Sequence, residues 1–134
     1  MPLSSLALEF RSVVVPKAIL YDAPSISAKK IFLLSQYYPV EIIVNLGEWL
    51  KVRDSLGSIS WVEQKQLSAK RMVMMTNNSE IKQSAESTSA VVATLEKGVV
   101  LEVVDLKPLN GWLKVKHRDG VVGYVPISAT WGFN

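Results

Sequence analysis

The stretch Trp-Leu-Lys-Val-Arg at Trp49–Arg53 decides the fold, because it returns sixty-three residues later as Trp-Leu-Lys-Val-Lys at Trp112–Lys116. The same offset aligns three further pairs without a gap: Gly57 with Gly120, Trp61 with Tyr124 and Val62 with Val125. Self-similarity at this period is typical of two copies of one supersecondary unit. We therefore predict a duplication, with one unit over residues 9–67 and a second over residues 68–134.

Each unit has the pattern of short β-strands. Val40, Ile42 and Val44 recur at every second position, as the side chains on one face of a strand do. Asn110-Gly111 and Asp119-Gly120 are dipeptides that tolerate positive φ at both turn positions, so each is predicted to close a hairpin. No stretch of eleven residues keeps a helical period. Strands and turns at this spacing predict an all-β fold of two small barrels.

Composition excludes several classes of protein. The chain has 134 residues, of which 49% are hydrophobic and 20% charged, which is unlike a disordered chain. Its longest apolar runs, such as residues 31–34, fall far short of the ~20 residues of a membrane helix. Cysteine is absent and His117 is the single histidine, which excludes disulfides, thiolate sites and multi-histidine metal sites. We expect no metal and no cofactor.

Charge is spread rather than concentrated. The formal net charge is +3, yet segments 18–67 and 80–134 each balance their acidic and basic residues, and part of the excess lies at Lys70 and Arg71. A nucleic-acid binder normally gathers its positive charge on one working face. Nucleic acid is therefore not an expected partner, although a nucleic-acid-binding small barrel remains the third alternative.

The size of the units predicts that they touch. A domain of about 60 residues buries only ~60% of its unfolded surface and is marginally stable alone. Without disulfides or metals, two such units gain stability by packing together. We expect two barrels in contact, and the alternative is that the apolar run Met72–Met75 simply forms the first strand of the second core.

The amino terminus, residues 1–8, has one feature of an export leader. Ser5 and Ala7 are small residues spaced as at a signal peptidase site, but the basic and apolar segments of a leader do not precede them. We expect residues 1–8 to be a possible leader remnant that is not a functional export signal.

These motifs resemble those of tandem bacterial Src-homology-3-like domains of the exported type. The resemblance covers about residues 18–67 and 79–128. In the first copy it rests on Leu20-Tyr21-Asp22-Ala23-Pro24-Ser25 and on Trp49-Leu50-Lys51-Val52. In the second copy it rests on Gly111-Trp112-Leu113-Lys114-Val115 and on Gly123-Tyr124-Val125-Pro126. It implies non-catalytic barrels, which in exported bacterial proteins bind cell-wall peptides or protein partners. Ala23, and Lys82 where Tyr21 would recur, depart from the motif that lines a polyproline groove, which argues against a proline-rich ligand.

Strand alternation selects the candidate binding residues. Leu50 and Val52 share one face of their strand while Trp49 shares the other with Lys51, so Trp49 is predicted to point outward. Exposed aromatic rings can stack on sugars or on a peptide backbone. The predicted ligand-binding residues are Tyr21, Trp49, Trp61, Trp112, Tyr124 and Pro126. The alternative is that these rings cap the barrels or form the contact between them, and Trp131 is predicted to fill a seam.

No residues form a recognisable catalytic set, so we predict that the protein is not an enzyme. His117-Arg118-Asp119 copies the start of a kinase catalytic loop, but Gly120 follows and no glycine-rich phosphate loop exists. The predicted function is a binding module of the bacterial cell envelope, periplasmic or extracytoplasmic, that recognises a cell-wall peptide or an envelope protein. The alternatives are a structural or protein–protein adaptor and a cytoplasmic location, and the oligomeric state stays open.

Overall fold

The computed structural model describes residues 9–133, so the possible leader remnant at residues 1–8 lies outside the described residues. The described chain is all-β, as predicted, with two short 3-10 turns at Gln64–Gln66 and Ile127–Ala129. Its first seven strands are β1 (Glu9–Val13), β2 (Lys17–Tyr21), β3 (Lys30–Ser35), β4 (Pro39–Asn45), β5 (Trp49–Arg53), β6 (Ile59–Glu63) and β7 (Leu67–Ser68). The next seven are β8 (Met72–Met75), β9 (Ser79–Lys82), β10 (Val91–Leu95), β11 (Val100–Leu109), β12 (Trp112–Lys116), β13 (Val122–Pro126) and β14 (Thr130–Trp131).

The two halves have the same topology. The strand order is β3-β2-β6-β5-β4-β1-β7 in the first sheet and β10-β9-β13-β12-β11-β8-β14 in the second. Each strand of the second sheet is therefore the counterpart of the strand seven places earlier in the chain, and all the strand pairs are antiparallel. This identity of order confirms the predicted duplication. None of the helices in residues 9–133 is long and apolar enough to cross a membrane.

Each sheet surrounds a hydrophobic core of its own. In the repeated strands β5 and β12, Leu50, Val52, Leu113 and Val115 are all 0% exposed, while the residues between them are half-buried. The predicted in–out alternation is confirmed. The first core contains Val13, Ala18, Leu20, Val40, Leu50, Val52, Val62 and Leu67. The second contains Val73, Met75, Ile81, Leu95, Leu101, Val103, Leu113, Val115, Val125, Ala129 and Phe133.

The two predicted hairpins form, but with different turns. Asn110 and Gly111 have φ of 52° and 80°, so both central residues of this two-residue turn are left-handed as predicted. At the second hairpin only Gly120 has positive φ, at 96°, so the expectation of positive φ at Asp119 is wrong. The reason is loop length: the His117 N–H donates to the Val121 carbonyl at 2.9 Å, which leaves three residues between them. Such a loop needs positive φ at its last position alone.

Two of the contacts that join the domains involve Phe10, near the start of the described residues. Phe10 of β1 meets Trp131 of β14 edge-to-face, with ring centroids 5.3 Å apart at 87°. The Arg71 guanidinium lies 5.9 Å from the Phe10 ring and 5.3 Å from the Phe133 ring, and its Nη2 donates to the Gly132 carbonyl at 3.3 Å. Burial lowers the pKa of Arg71 from its ordinary value, and this group stays charged at neutral pH. Trp131 thus fills the seam, as predicted.

The two units are in contact, as predicted, and the run Met72–Met75 is also the first strand of the second core, as the alternative stated. Met72–Met75 is strand β8 of the second sheet, and its residues Val73 and Met75 belong to the second core. The domains nevertheless pack against each other, through the ring contact of Phe10 with Trp131 and the contact of the Phe10 ring with the Arg71 guanidinium.

Gly123 of β13 lies so close to the neighbouring strand that there is no room for a Cβ atom at this position. A Cβ there would collide with Ile81 Cγ2 and with the Lys82 carbonyl oxygen of the neighbouring strand β9. The first domain has Ser60 at the counterpart position, opposite Val52 as Gly123 is opposite Val115. The close approach of β9 to β13 therefore depends on the missing side chain.

Gly123→Ala is expected to destabilise the protein by about 2–3 kcal/mol, since the backbone of β9 must move to admit the methyl group. Urea unfolding followed by circular dichroism measures the change. Ser60→Ala is the matched control and should cost less than about 1 kcal/mol, because a Cβ is already accommodated there. Equal losses in the two variants would contradict the proposed steric cause.

Phe10→Ala is expected to lower the free energy of unfolding by about 3 kcal/mol, because Phe10 is 6% exposed and supports both Trp131 and Arg71. Val14→Ala, at a side chain that is 43% exposed on the same segment, should change it by no more than about 0.5 kcal/mol. Equilibrium denaturation of both variants tests this, and a Phe10→Ala variant as stable as the wild type would show that the contact contributes nothing.

Candidate functional site

Three of the predicted binding residues come together on the outer side of the first sheet. Tyr21 of β2 lies opposite Trp61 of β6, which in turn lies opposite Lys51 of β5. Trp49 meets the Tyr21 ring edge-to-face, with centroids 5.3 Å apart at 82°. The Lys51 ammonium lies 6.0 Å from the centroid of the Trp61 ring. Tyr21, Trp49, Lys51 and Trp61 are called the first aromatic face below.

Burial distinguishes the members of this face. Tyr21 is only 5% exposed, because the Trp49 ring covers it, whereas Trp49 and Trp61 are half-buried. Tyr21 therefore supports Trp49 from beneath and presents little surface of its own. The two tryptophans keep surface that a ligand can reach.

The other three predicted residues lie on the equivalent side of the second sheet. Trp112 of β12 is opposite Pro126 of β13, and Tyr124 is opposite both Lys114 and Lys82. Trp112, Tyr124 and Pro126 are half-buried and are called the second aromatic face. Within residues 9–133 no strand pairing or aromatic contact joins it to the first face. The six predicted residues thus form two groups, one for each domain.

One of the differences between the two faces changes the support of the tryptophan. Tyr21 is paired with Trp61, and its counterpart Lys82 is paired with Tyr124. Lys82 forms an ion pair with Glu80 at 3.2 Å, so it offers the second face a charge instead of a ring. Trp112 therefore lacks the buried tyrosine that supports Trp49.

A cleft that was not predicted lies between the domains. It has a volume of about 480 Å³ and is open to solvent. None of the six predicted residues lines it. Its walls come from four separate stretches of the chain: Gln36, Tyr37, Lys70, Met72, Gly98, Val99, Val100, Glu102, Lys116, His117 and Arg118. The sequence contained one indication of this cleft, because Lys70 belongs to the basic pair that carries part of the excess positive charge. No sequence pattern indicated that Lys70 and Lys116 line the same cleft.

The family of the chain follows from a comparison with family models. The model of the bacterial SH3 domain matches residues 14–69 and matches again at residues 79–132. The chain belongs to the bacterial SH3 domain family. This is a family of binding domains, which agrees with two small sheets that carry aromatic residues on their outer sides. No curated protein matches this SH3 tandem.

Solved structures similar to this SH3 tandem include two proteins of Trichomonas vaginalis. NlpC1 is 15% identical, with a TM-score of 0.43, and the match covers 96% of this chain and 47% of that one. NlpC2 is 14% identical, also with a TM-score of 0.43, and the match covers 96% of this chain and 49% of that one. The tandem spans about half the length of each of these chains.

The histidine motif of the SH3 tandem lies in a hairpin tip, as predicted. His117 Nδ1 accepts a hydrogen bond from the Asp119 N–H at 3.1 Å, which closes the turn between β12 and β13. The Asp54 carboxylate has the same role in the first domain, where it accepts from the Leu56 N–H at 2.9 Å. Among residues 9–133, no three histidine, aspartate or glutamate side chains are grouped so that they could hold a metal ion.

Tyr21→Ala is expected to destabilise the first domain by about 3 kcal/mol, since it removes a buried ring and leaves a void beneath Trp49. The matched variant Tyr124→Ala, at a half-buried ring of the second aromatic face, should cost about 1 kcal/mol. Thermal and urea unfolding give both values. A small effect of Tyr21→Ala would show that its ring does not support Trp49.

Proposed function

We propose that this bacterial SH3 tandem is a non-catalytic binding module of the cell envelope, and that its first aromatic face binds an extended peptide of the cell wall. The observation that carries the proposal is the edge-to-face pair of Trp49 and Tyr21, at 5.3 Å and 82°. It holds a half-buried tryptophan in a fixed orientation before any ligand arrives. Membership of a family of binding domains supports the same reading.

A preorganised tryptophan is well suited to a peptide backbone. A ring that is already held loses little conformational freedom on binding, so more of the contact energy remains as affinity. Tryptophan is also among the residues that contribute most at binding surfaces. Trp49 is held by Tyr21 and Trp61 is within reach of Lys51, so the face offers two rings on adjacent strands.

Charges beside the rings match the ends of a short peptide. Lys51 supplies a positive charge for a carboxylate. Glu63, opposite Trp49, supplies a negative charge for an amine, which would replace the exposed Lys65 ammonium now 3.5 Å from its carboxylate. Cell-wall peptides carry both groups, so one face can orient the chain at two points. On the second aromatic face, Pro126 takes the place of Glu63 and Lys82 the place of Tyr21, so the acidic group and the ring that supports the tryptophan are both absent there.

The alternative function is a protein–protein adaptor, and one observation favours it. Strand β3 is the edge of the first sheet, and it carries Phe32 and Leu33, which are 41% and 65% exposed. Exposed apolar edge strands are sites where a second protein can add a strand. An envelope protein that pairs with β3 would need neither aromatic face.

The test is sedimentation with purified peptidoglycan, followed by titration with a soluble stem peptide. Trp49→Ala is expected to weaken binding at least about tenfold, because it removes the ring on which the peptide lies. Trp112→Ala is the matched control and should stay within about twofold of the wild type, since it removes the same side chain from the second face. Thermal unfolding confirms that both variants are folded.

Other outcomes overturn the proposal. Absence of binding by the wild-type protein, or equal losses in the two variants, would rule out the first aromatic face as the peptide site. Recovery of an envelope protein that is lost in a Leu33→Lys variant but kept in Trp49→Ala would favour the adaptor instead.

A further inference from the structure

We propose that the cleft between the two domains, lined by Tyr37, Lys70 and Lys116–Arg118 among others, binds a small ligand through a carboxylate or phosphate group. It is called the interdomain cleft below. This site goes beyond the proposed function, because it shares no residue with either aromatic face. Three independent features of its walls carry the inference: their charge, a strained tyrosine and a histidine in place of an aspartate.

The charge of the walls favours an anion. Lys70, Lys116 and Arg118 bring three permanent positive charges to the cleft, against the one negative charge of Glu102. The Lys70 and Glu102 side chains are 3.8 Å apart and each is 43% exposed, so this ion pair is long and open to water. Charges of one sign in a concave site reinforce each other's field and raise the local concentration of oppositely charged ligands.

Tyr37 adopts a backbone conformation that its residue type disfavours. Its φ is +73°, whereas the counterpart Gly98 in the second domain has φ of +93°. The positions are equivalent, because each N–H donates at 2.7 Å to the carbonyl of the last residue of its domain's first strand, Tyr37 to Val13 of β1 and Gly98 to Met75 of β8. Glycine adopts this conformation at no steric cost, and a tyrosine there is strained.

Strain of this kind is commonly kept where a side chain is needed for function. Tyr37 lines the interdomain cleft, and its ring lies 5.0 Å from the Lys70 ammonium. The ring thus holds a cation at the cleft and adds a flat apolar wall. The glycine at the counterpart position lines the same cleft from the other domain, where the absence of a side chain leaves room.

His117 replaces a carboxylate at the wall of the cleft. In the first domain Asp54 accepts the N–H of Leu56, and in the second His117 Nδ1 accepts the N–H of Asp119. The carboxylate of the second turn belongs instead to Asp119, whose Oδ2 lies 3.2 Å from His117 Nδ1 and which does not line the cleft. An imidazole can donate a hydrogen bond to an anion from a ring N–H, whereas the carboxylate at the counterpart position can only accept one. The next residue changes from Ser55 to the cation Arg118, and the one after it from Leu56 to the carboxylate Asp119. Over these three positions the second turn is one unit of charge more positive than the first.

Size and wall composition define the class of ligand. A volume of about 480 Å³ suits a small molecule rather than a folded partner. Met72, Val99 and Val100 provide apolar wall beside the cations. The ligand is therefore a small molecule with one oxyanion end and an apolar or aromatic body.

The experiment titrates the isotope-labelled full chain with phenyl phosphate, with benzoate and with the neutral control benzyl alcohol, and follows backbone amide resonances. We expect saturable shifts at Tyr37, Gly98 and Arg118 with at least one anion and none with benzyl alcohol. The tighter of the two anions identifies the group, phosphate or carboxylate, that the cleft prefers.

Matched variants test the site. The double variant Lys116→Gln with Arg118→Gln is expected to weaken binding at least about tenfold. Lys29→Gln with Lys107→Gln makes the same change in net charge at exposed positions outside the cleft, and should stay within about twofold. Tyr37→Gly suits the backbone, so it should fold normally and still bind more weakly. Trp49→Ala should leave this binding unchanged, which separates it from the aromatic face.

Three results would overturn the interdomain cleft as a ligand site. The first is an absence of saturable shifts with both anions. The second is an equal loss of affinity in the two double variants, which would mean that only net charge matters. The third is a set of shifts confined to residues outside the cleft.

Discussion

Burial of two pairs of aliphatic side chains is the constraint on which both domains depend. Leu50 and Val52 in β5, and Leu113 and Val115 in β12, are fully enclosed in strands that have a paired neighbour on each side. Cysteine is absent from the chain, so no disulfide assists. The hydrophobic effect at these central strands must therefore offset most of the conformational entropy of two small domains.

The alternation that buries these residues also creates the outer faces. A strand that turns Leu50 and Val52 inward must turn Trp49 and Lys51 outward. The aromatic faces are thus a consequence of the same sequence pattern that builds the cores. What differs between the faces is the support given by the neighbouring strand, which is Tyr21 in one domain and Lys82 in the other.

Comparison of the two repeats distinguishes the positions that are alike in both domains from those that differ. Positions that enclose the cores keep their character, as Leu50 and Leu113 do. Positions that line the interdomain cleft differ in character between the repeats. Tyr37 of the first domain is replaced by Gly98 in the second, and Asp54 is replaced by His117. The copies thus diverge at the surface where one domain meets the other, as they also do on the aromatic faces.

Local patterns accounted for the all-β fold, the duplication, the alternation in β5 and β12 and the Asn110-Gly111 turn, because each depends on neighbours close along the chain. They did not account for the Asp119 conformation, since the turn type depends on which backbone groups pair across the hairpin. They also left open which of the six candidate rings is buried, and Tyr21 is covered because Trp49, from a strand that does not pair with its own, lies over it.

By itself the amino-acid sequence determined two similar sheets and the inward or outward direction of each repeated side chain, because the period of a strand is a local property. Only the tertiary structure decided how the copies meet. Phe10, Arg71 and Trp131 bring the two sheets together, and the cleft with Tyr37, Lys70 and Lys116 exists only in that arrangement. Packing between segments distant along the chain depends on the shapes of both folded surfaces. The periodicity within one copy does not predict those shapes.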